Sequence, residues 1–165
     1  MVAVGLLSVA VGLGLSACAG RRITEGVFRS AKGYRVTVPG PAWAVVESSR
    51  ADLELRHREG GVGMLVNAVC DRRATTRSAG ALTHQLLAGL RDREIVERGT
   101  VSVNGRAGSR VVLEALAGPG ARVRIDTVTV ANARCVYDLI YAALTGAFAE
   151  RHADFDRFVA SFVEE

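Results

Sequence analysis

Over most of the chain, apolar and polar residues alternate with a period of two. Tyr34, Val36 and Val38 alternate with Arg35 and Thr37, which predicts a half-buried strand. Pro39-Gly40-Pro41 interrupts it, and Trp43-Ala44-Val45-Val46 resumes. From Asp52 to Arg58 the alternation is nearly complete, with Leu53, Leu55 and His57 on one side. Glu59-Gly60-Gly61 reads as a turn, and Gly63 to Cys70 as a more continuously apolar, central strand. Asn104-Gly105 stands between Val101 and Val103 on one side and Val111 and Leu113 on the other, a strong two-residue hairpin signal. Gly118-Pro119-Gly120 predicts a further turn, followed by strands over Val123 to Val130 and Cys135 to Ala142.

Twice the period becomes helical. From Ser78 to Leu90, the residues Ala79, Leu82, Leu86, Leu87 and Leu90 share one face, with Ser78 as N-cap. Near the end of the chain Phe148, Phe155, Phe158, Val159 and Phe162 do the same. The order is four strands, a helix, four strands, a helix. Strands joined by hairpins, with helices set apart, predict an α+β fold in which an antiparallel β-sheet is covered by helices. Residues 33–165 are expected to form it as a single domain.

Ahead of this lies a different kind of sequence. Residues 1–17 carry no charge, and the run ends in small residues, as a secretory leader does. It is short for a membrane span, which needs roughly 20 residues, and its opening Met1-Val2-Ala3-Val4 lacks the usual basic residue. Leu15-Ser16-Ala17-Cys18 resembles the lipobox of bacterial lipoproteins. The resemblance implies cleavage before Cys18, a diacylglycerol on its thiol, and anchorage in a membrane facing an exported compartment. Residues 18–32 then form a lipidated N-terminus and tether. Ala19 is not the aspartate that commonly marks inner-membrane retention. The outer membrane, periplasmic face, is expected in a host with two membranes, and the outer leaflet of the plasma membrane in a host with one.

Export changes the reading of the cysteines. With Cys18 acylated, Cys70 and Cys135 remain, each at the end of an apolar run. In an oxidising compartment they form an even pair and predict a disulfide. Two buried free thiols are the alternative, since cysteine packs as a small hydrophobe.

Charge adds less. The formal net charge is +4, and of the 21 basic residues only Lys32 is a lysine. The arginines are interleaved with acids along the chain, not clustered with aromatics as in a nucleic-acid binder, so no nucleic-acid partner is expected. Arg72, Arg73 and Arg77 form one local cluster, read either as a contact for anionic headgroups or as a solvated polar loop.

Gly33-Tyr34-Arg35-Val36-Thr37-Val38-Pro39 followed by Trp43 resembles the opening strand and turn of the PsbP/Mog1-like α/β/α sandwich domains. Phe155-Asp156-Arg157-Phe158-Val159-Ala160-Ser161-Phe162 is similar to their final helix, which packs back on the sheet. The resemblance implies a fold more than a function. The superfamily includes photosystem assembly proteins, a nuclear transport cofactor and many bacterial lipoproteins, with no shared catalytic residues to carry over.

Chemistry is sparse. His57 reads as a strand-end residue, His84 as exposed on its helix, and His152 as bordering the aromatic stripe with Asp156 one turn on. No Cys/His spacing has the convergence a metal site needs, so neither metal nor cofactor is expected. Gly-x-Ser-x-Gly is absent, and no phosphate-binding glycine motif occurs. The chain is therefore expected not to be an enzyme. Two functions remain: a non-catalytic accessory or assembly subunit of an envelope complex, and a small-molecule or lipid-binding lipoprotein. The first predicts a partly apolar surface patch, the second an enclosed apolar cavity between sheet and helix.

Overall fold

A computed structural model describes residues 22–71, 90–117 and 120–165. The leader, Cys18, Arg72, Arg73, Arg77 and nearly all of the helix expected over 78–90 lie outside the described residues. Within them the order is β1 (Arg22–Thr24), β2 (Val27–Ser30), β3 (Tyr34–Thr37), β4 (Trp43–Val45), β5 (Leu53–His57) and β6 (Val62–Val69). After these come β7 (Glu94–Val103), β8 (Arg106–Ala117), β9 (Ala121–Ala131), β10 (Val136–Leu144), a 3-10 turn, helix α1 (Phe148–Ala160) and β11 (Val163–Glu164).

The strands form two antiparallel sheets where the sequence predicts one. A seven-stranded sheet runs β4-β5-β6-β10-β9-β8-β7, and a four-stranded sheet runs β1-β2-β3-β11. Asn104 and Gly105 turn the β7–β8 hairpin at φ of 50° and 76°, the type I′ geometry that the dipeptide favours. The same geometry corrects the expectation that residues 18–32 are a tether. Glu25 and Gly26, at φ of 51° and 76°, close a β1–β2 hairpin, and Phe28 is only 3 % exposed. β1 and β2 therefore belong to the fold, which does not start at Gly33. One or two apolar side chains in a three- or four-residue strand leave too short a pattern to read, and their burial depends on partners distant in sequence.

One face of the large sheet carries the core. Leu53, Leu55, Met64, Val66, Leu139, Val128 and Val130 point into it, and Phe28, Tyr34 and Val36 of the small sheet close over them beside α1. Tyr34, Tyr137 and Phe162 pack ring against ring with centroids 5.0–5.6 Å apart, in the offset geometries that aromatic quadrupoles favour. The aromatic stripe is buried as predicted, although Phe162 lies beyond the end of α1: Phe155 and Phe158 are fully covered, and Phe148, Val159 and Phe162 nearly so. Trp43 donates its indole N–H to Asp154 of α1 at 2.9 Å, fixing the helix over β4. On the opposite face Val111, Leu113 and Ala115 form a second cluster with Leu90, Val123 and Ile125.

Gly108 marks the tightest approach within the large sheet. A Cβ there would stand 2.8 Å from the Thr129 carbonyl oxygen and 3.1 Å from a Val130 methyl. The first of these is backbone and cannot swing aside. Gly108→Ala is expected to cost about 1–3 kcal/mol, as overpacking does, read as a lowered urea midpoint at unchanged slope. An unchanged midpoint would mean that β8 and β9 can part there.

Candidate functional site

Charge converges at one place in the described core. Asp126 lies on the core side of β9, in parity with Val128 and Val130, and is fully buried. Arg110, on the neighbouring β8, reaches it with Nε at 3.0 and 3.2 Å from the two carboxylate oxygens and Nη2 at 2.6 Å. From above, α1 contributes His152, whose Nε2 is 2.8 Å from Asp126 Oδ2, and Asp156, which accepts from Arg110 Nη2 at 2.8 Å. His152 Nδ1 faces Asp156 at 3.6 Å. The imidazole is walled by Phe148, Tyr141 and Phe155, with ring centroids 4.8–6.3 Å away.

Burial works against the charge of Arg110. Its hydrogen bonds to Asp126 and Asp156 outweigh that effect and push its pKa further above the usual arginine range. Through these polar contacts to one another, Arg110, Asp126, His152 and Asp156 form one group. Its evident work is mechanical, because it ties α1 to the middle of the sheet. The sequence places His152 beside Asp156, and the structure confirms that neighbourhood. Asp126 and Arg110 escape a reading based on motifs. The available signal is parity: each shares a strand face with buried valines (Val128 and Val112), where a lone charge needs a partner.

A second polar knot joins the two sheets. Asp52 accepts from the Tyr34 hydroxyl at 2.8 Å, the Ala68 amide at 2.9 Å and Lys32 Nζ at 2.7 Å. Burial, then the charge and hydrogen bond of Asp52, drive the Tyr34 pKa above the ordinary phenol range. Burial first, then Asp154 and Glu150, pushes Tyr141 up to about 12; its hydroxyl donates to the Phe148 carbonyl at 2.9 Å.

Asp138 lies on the other face of β10, away from the main core. Burial raises its carboxyl pKa against the opposing hydrogen bond from Thr129, 2.8 Å away. An acid with a raised folded pKa destabilises the fold as it ionises. The penalty is absent below the unfolded value near 3.8, grows as pH rises, and is complete above the folded value. Asp138→Asn keeps an acceptor for Thr129, so it is expected to raise stability at pH 7 and leave it unchanged at pH 3. Urea midpoints at the two pH values check this, and equal midpoints for both proteins at pH 7 would refute it.

Cys70 and Cys135 are joined, 65 residues apart in sequence, as one of the two sequence readings predicts. They sit one residue beyond the paired Val69 of β6 and Val136 of β10, so the bridge staples the middle of the large sheet at its end. Cys135 is buried and Cys70 exposed, in a cleft of about 420 Å³ that Lys32, Gly33, Arg134 and Glu165 also line. Another cleft of about 310 Å³ runs along His57 and the Gly60-Gly61 turn. His57 is a buried strand end packed against Trp43, ring centroids 5.3 Å apart. No group of three or more His, Cys, Asp or Glu placed to hold a metal ion occurs among the described residues. Nor is any described helix long and apolar enough to cross a membrane.

No protein-family model matches the chain, and neither does any curated protein. Solved structures do match. Over 92 % of this chain and 99 % of the other, it is similar to the solution structure of cyanobacterial PsbP (CyanoP) from Synechocystis sp. PCC 6803, at 16 % identity and a TM-score of 0.57. The fold is PsbP-like. The chain is also similar to LpqN of Mycobacterium tuberculosis, described as involved in cell envelope biogenesis, with a TM-score of 0.62 and 12 % identity. That match covers 81 % of this chain and 85 % of LpqN. The PsbP-like sandwich implied by Tyr34 to Trp43 and by the Phe155–Phe162 segment is thus present, with α1 and the small sheet lying together on one face of the large one.

Proposed function

We propose that this chain is an exported lipoprotein, held at a membrane surface through acylated Cys18, and that it serves an envelope complex as a non-catalytic accessory or assembly subunit. The observation that carries the export half is the Cys70–Cys135 disulfide, because such bridges persist in oxidising compartments. It agrees with the apolar leader and with Leu15-Ser16-Ala17-Cys18 immediately ahead of the fold. The likeness to LpqN supports an envelope role. An accessory role also fits the exposed pair Ile95 and Val96 on β7, an edge strand of the large sheet, at 46 % and 51 % exposure. Exposed apolar residues on a strand that ends a sheet, as β7 does among the described residues, are a common docking feature.

The alternative, a small-molecule or lipid carrier, calls for an enclosed apolar cavity between sheet and helix. The accessory reading needs less special geometry and ranks first. Purification of the native protein in mild detergent, with mass spectrometry of the protein and its companions, tests both. The expected result is a mature chain beginning at an acylated Cys18, together with a stoichiometric envelope protein. A single defined lipid or metabolite in place of that protein would overturn the accessory role, and an unacylated Cys18 would overturn the anchor.

A further inference from the structure

The hairpin at the start of the fold changes how the domain meets a membrane. Only three residues separate Cys18 from the first residue of β1. A fully extended chain spans at most about 3.6 Å per residue, so β1 begins within roughly 14 Å of the anchored cysteine. This rests on the lipoprotein reading above. A domain leashed that closely has to rest part of its surface on the headgroups.

The small sheet offers a surface suited to them. In its register Arg22 of β1 pairs with Arg29 of β2, and Arg29 pairs with Arg35 of β3. Three arginines therefore hold directly opposed positions on three adjacent strands, where like charges repel. Ile23, Phe28 and Val36, one position along on these strands, are the residues packed on the core. Arg29 and Arg35, of alternate parity, keep 53 % and 41 % of their side-chain surface exposed. Among the described residues Glu165 is the acid that contacts this row: it pairs with Arg29, and Arg35 Nε lies 3.5 Å from it. One carboxylate serves the two guanidiniums of Arg29 and Arg35, and Arg22 holds the next position in the same row.

We propose that the outer face of the four-stranded sheet, through Arg22, Arg29 and Arg35, lies against anionic phospholipid headgroups and seats the domain flush on the membrane that Cys18 anchors. The anchor brings the row to the surface, and headgroup phosphates supply the counter-charge that the fold leaves out. Arginine suits the task because its planar fork holds phosphate by paired hydrogen bonds.

The test uses the full-length chain carrying Cys18→Ser, so that acylation does not fix the protein to every vesicle. Its partition is measured at low ionic strength onto vesicles of phosphatidylcholine alone and of phosphatidylcholine mixed equally with phosphatidylglycerol. The apolar leader contributes alike to both, and the ratio of the two partitions isolates charge. Arg22→Gln/Arg29→Gln/Arg35→Gln is expected to lower that ratio by roughly one to two orders of magnitude, each arginine near an anionic surface being worth about fivefold. A control triple, Arg56→Gln/Arg98→Gln/Arg157→Gln, removes equal charge from β5, β7 and α1 and is expected to leave most of the ratio intact.

Equal losses in the two triples, or no loss in the first, would overturn the proposal. The substitutions relieve repulsion between paired strands, so the first triple is expected to melt no lower than its parent. Should it melt lower, Arg29→Gln/Arg35→Gln decides by the same ratio. Failure of the lipoprotein reading is seen separately, as the missing acyl mass on Cys18 in the wild-type protein.

Discussion

Cys70→Ala/Cys135→Ala is expected to lower the free energy of unfolding by about 4 kcal/mol, the chain-entropy value for a loop of this size. The bridge spans 65 residues of sequence, and between its ends run the residues outside the description, all of β7 to β9, and the turn into β10. Without it, the unfolded chain recovers the freedom of that whole loop. For a domain of this length the loss corresponds to a fall in melting temperature of roughly 10 °C. Two further signs distinguish loop entropy from a lost local contact. The denaturant slope should rise, because an uncrosslinked unfolded state exposes more surface. The wild-type protein in excess reductant should also melt with the double variant. Equal melting of oxidised and reduced protein would mean that the bridge contributes nothing in solution.

The second large effect is expected at the charge network beneath α1. Arg110→Ala leaves Asp126, fully buried, with His152 Nε2 at 2.8 Å as a remaining side-chain neighbour. Removing one partner of a buried pair costs about 3–5 kcal/mol, most of it the penalty of an uncompensated buried charge. Asp126→Asn is milder, because Arg110 retains Asp156 at 2.8 Å and some exposure to solvent. The double variant Arg110→Ala/Asp126→Asn should therefore be more stable than the sum of its single changes implies, with a coupling of about 1–3 kcal/mol. Urea unfolding of the four proteins gives the cycle. Additive losses would show that the two side chains do not depend on one another.

Much of the architecture was legible as periodicity. The strands that became β3 to β6 and β8 to β10, the Asn104-Gly105 turn and the phenylalanine stripe of α1 all stand where the alternation places them. Each is specified within a few neighbouring residues, and short-range pattern records that kind of information. The elements that escaped are those whose partners lie far away. β11 has two residues and exists because it pairs with β3, while the β1–β2 hairpin is held by Phe28 reaching the common core.

The candidate sites divide along the same line. A bridge between Cys70 and Cys135 was one of two open readings, and it took three-dimensional pairing of β6 with β10 to bring the sulfurs together. The Arg110–Asp126–His152 cluster joins two strands and a helix from three parts of the chain. No spacing marks it, although parity with Val112 and Val128 flags two charges on an inward face.

By itself the sequence determined the α+β class, an uncharged apolar segment ahead of the fold, and a pair of cysteines available for oxidation. These follow from local hydrophobic period, turn chemistry and composition. Tertiary structure alone decided that the described strands form two sheets, that β1 and β2 belong to the fold, and that Arg22, Arg29 and Arg35 hold opposed positions in register. Each of those depends on register between strands, which is set by what the whole core buries and not by any one segment's own pattern.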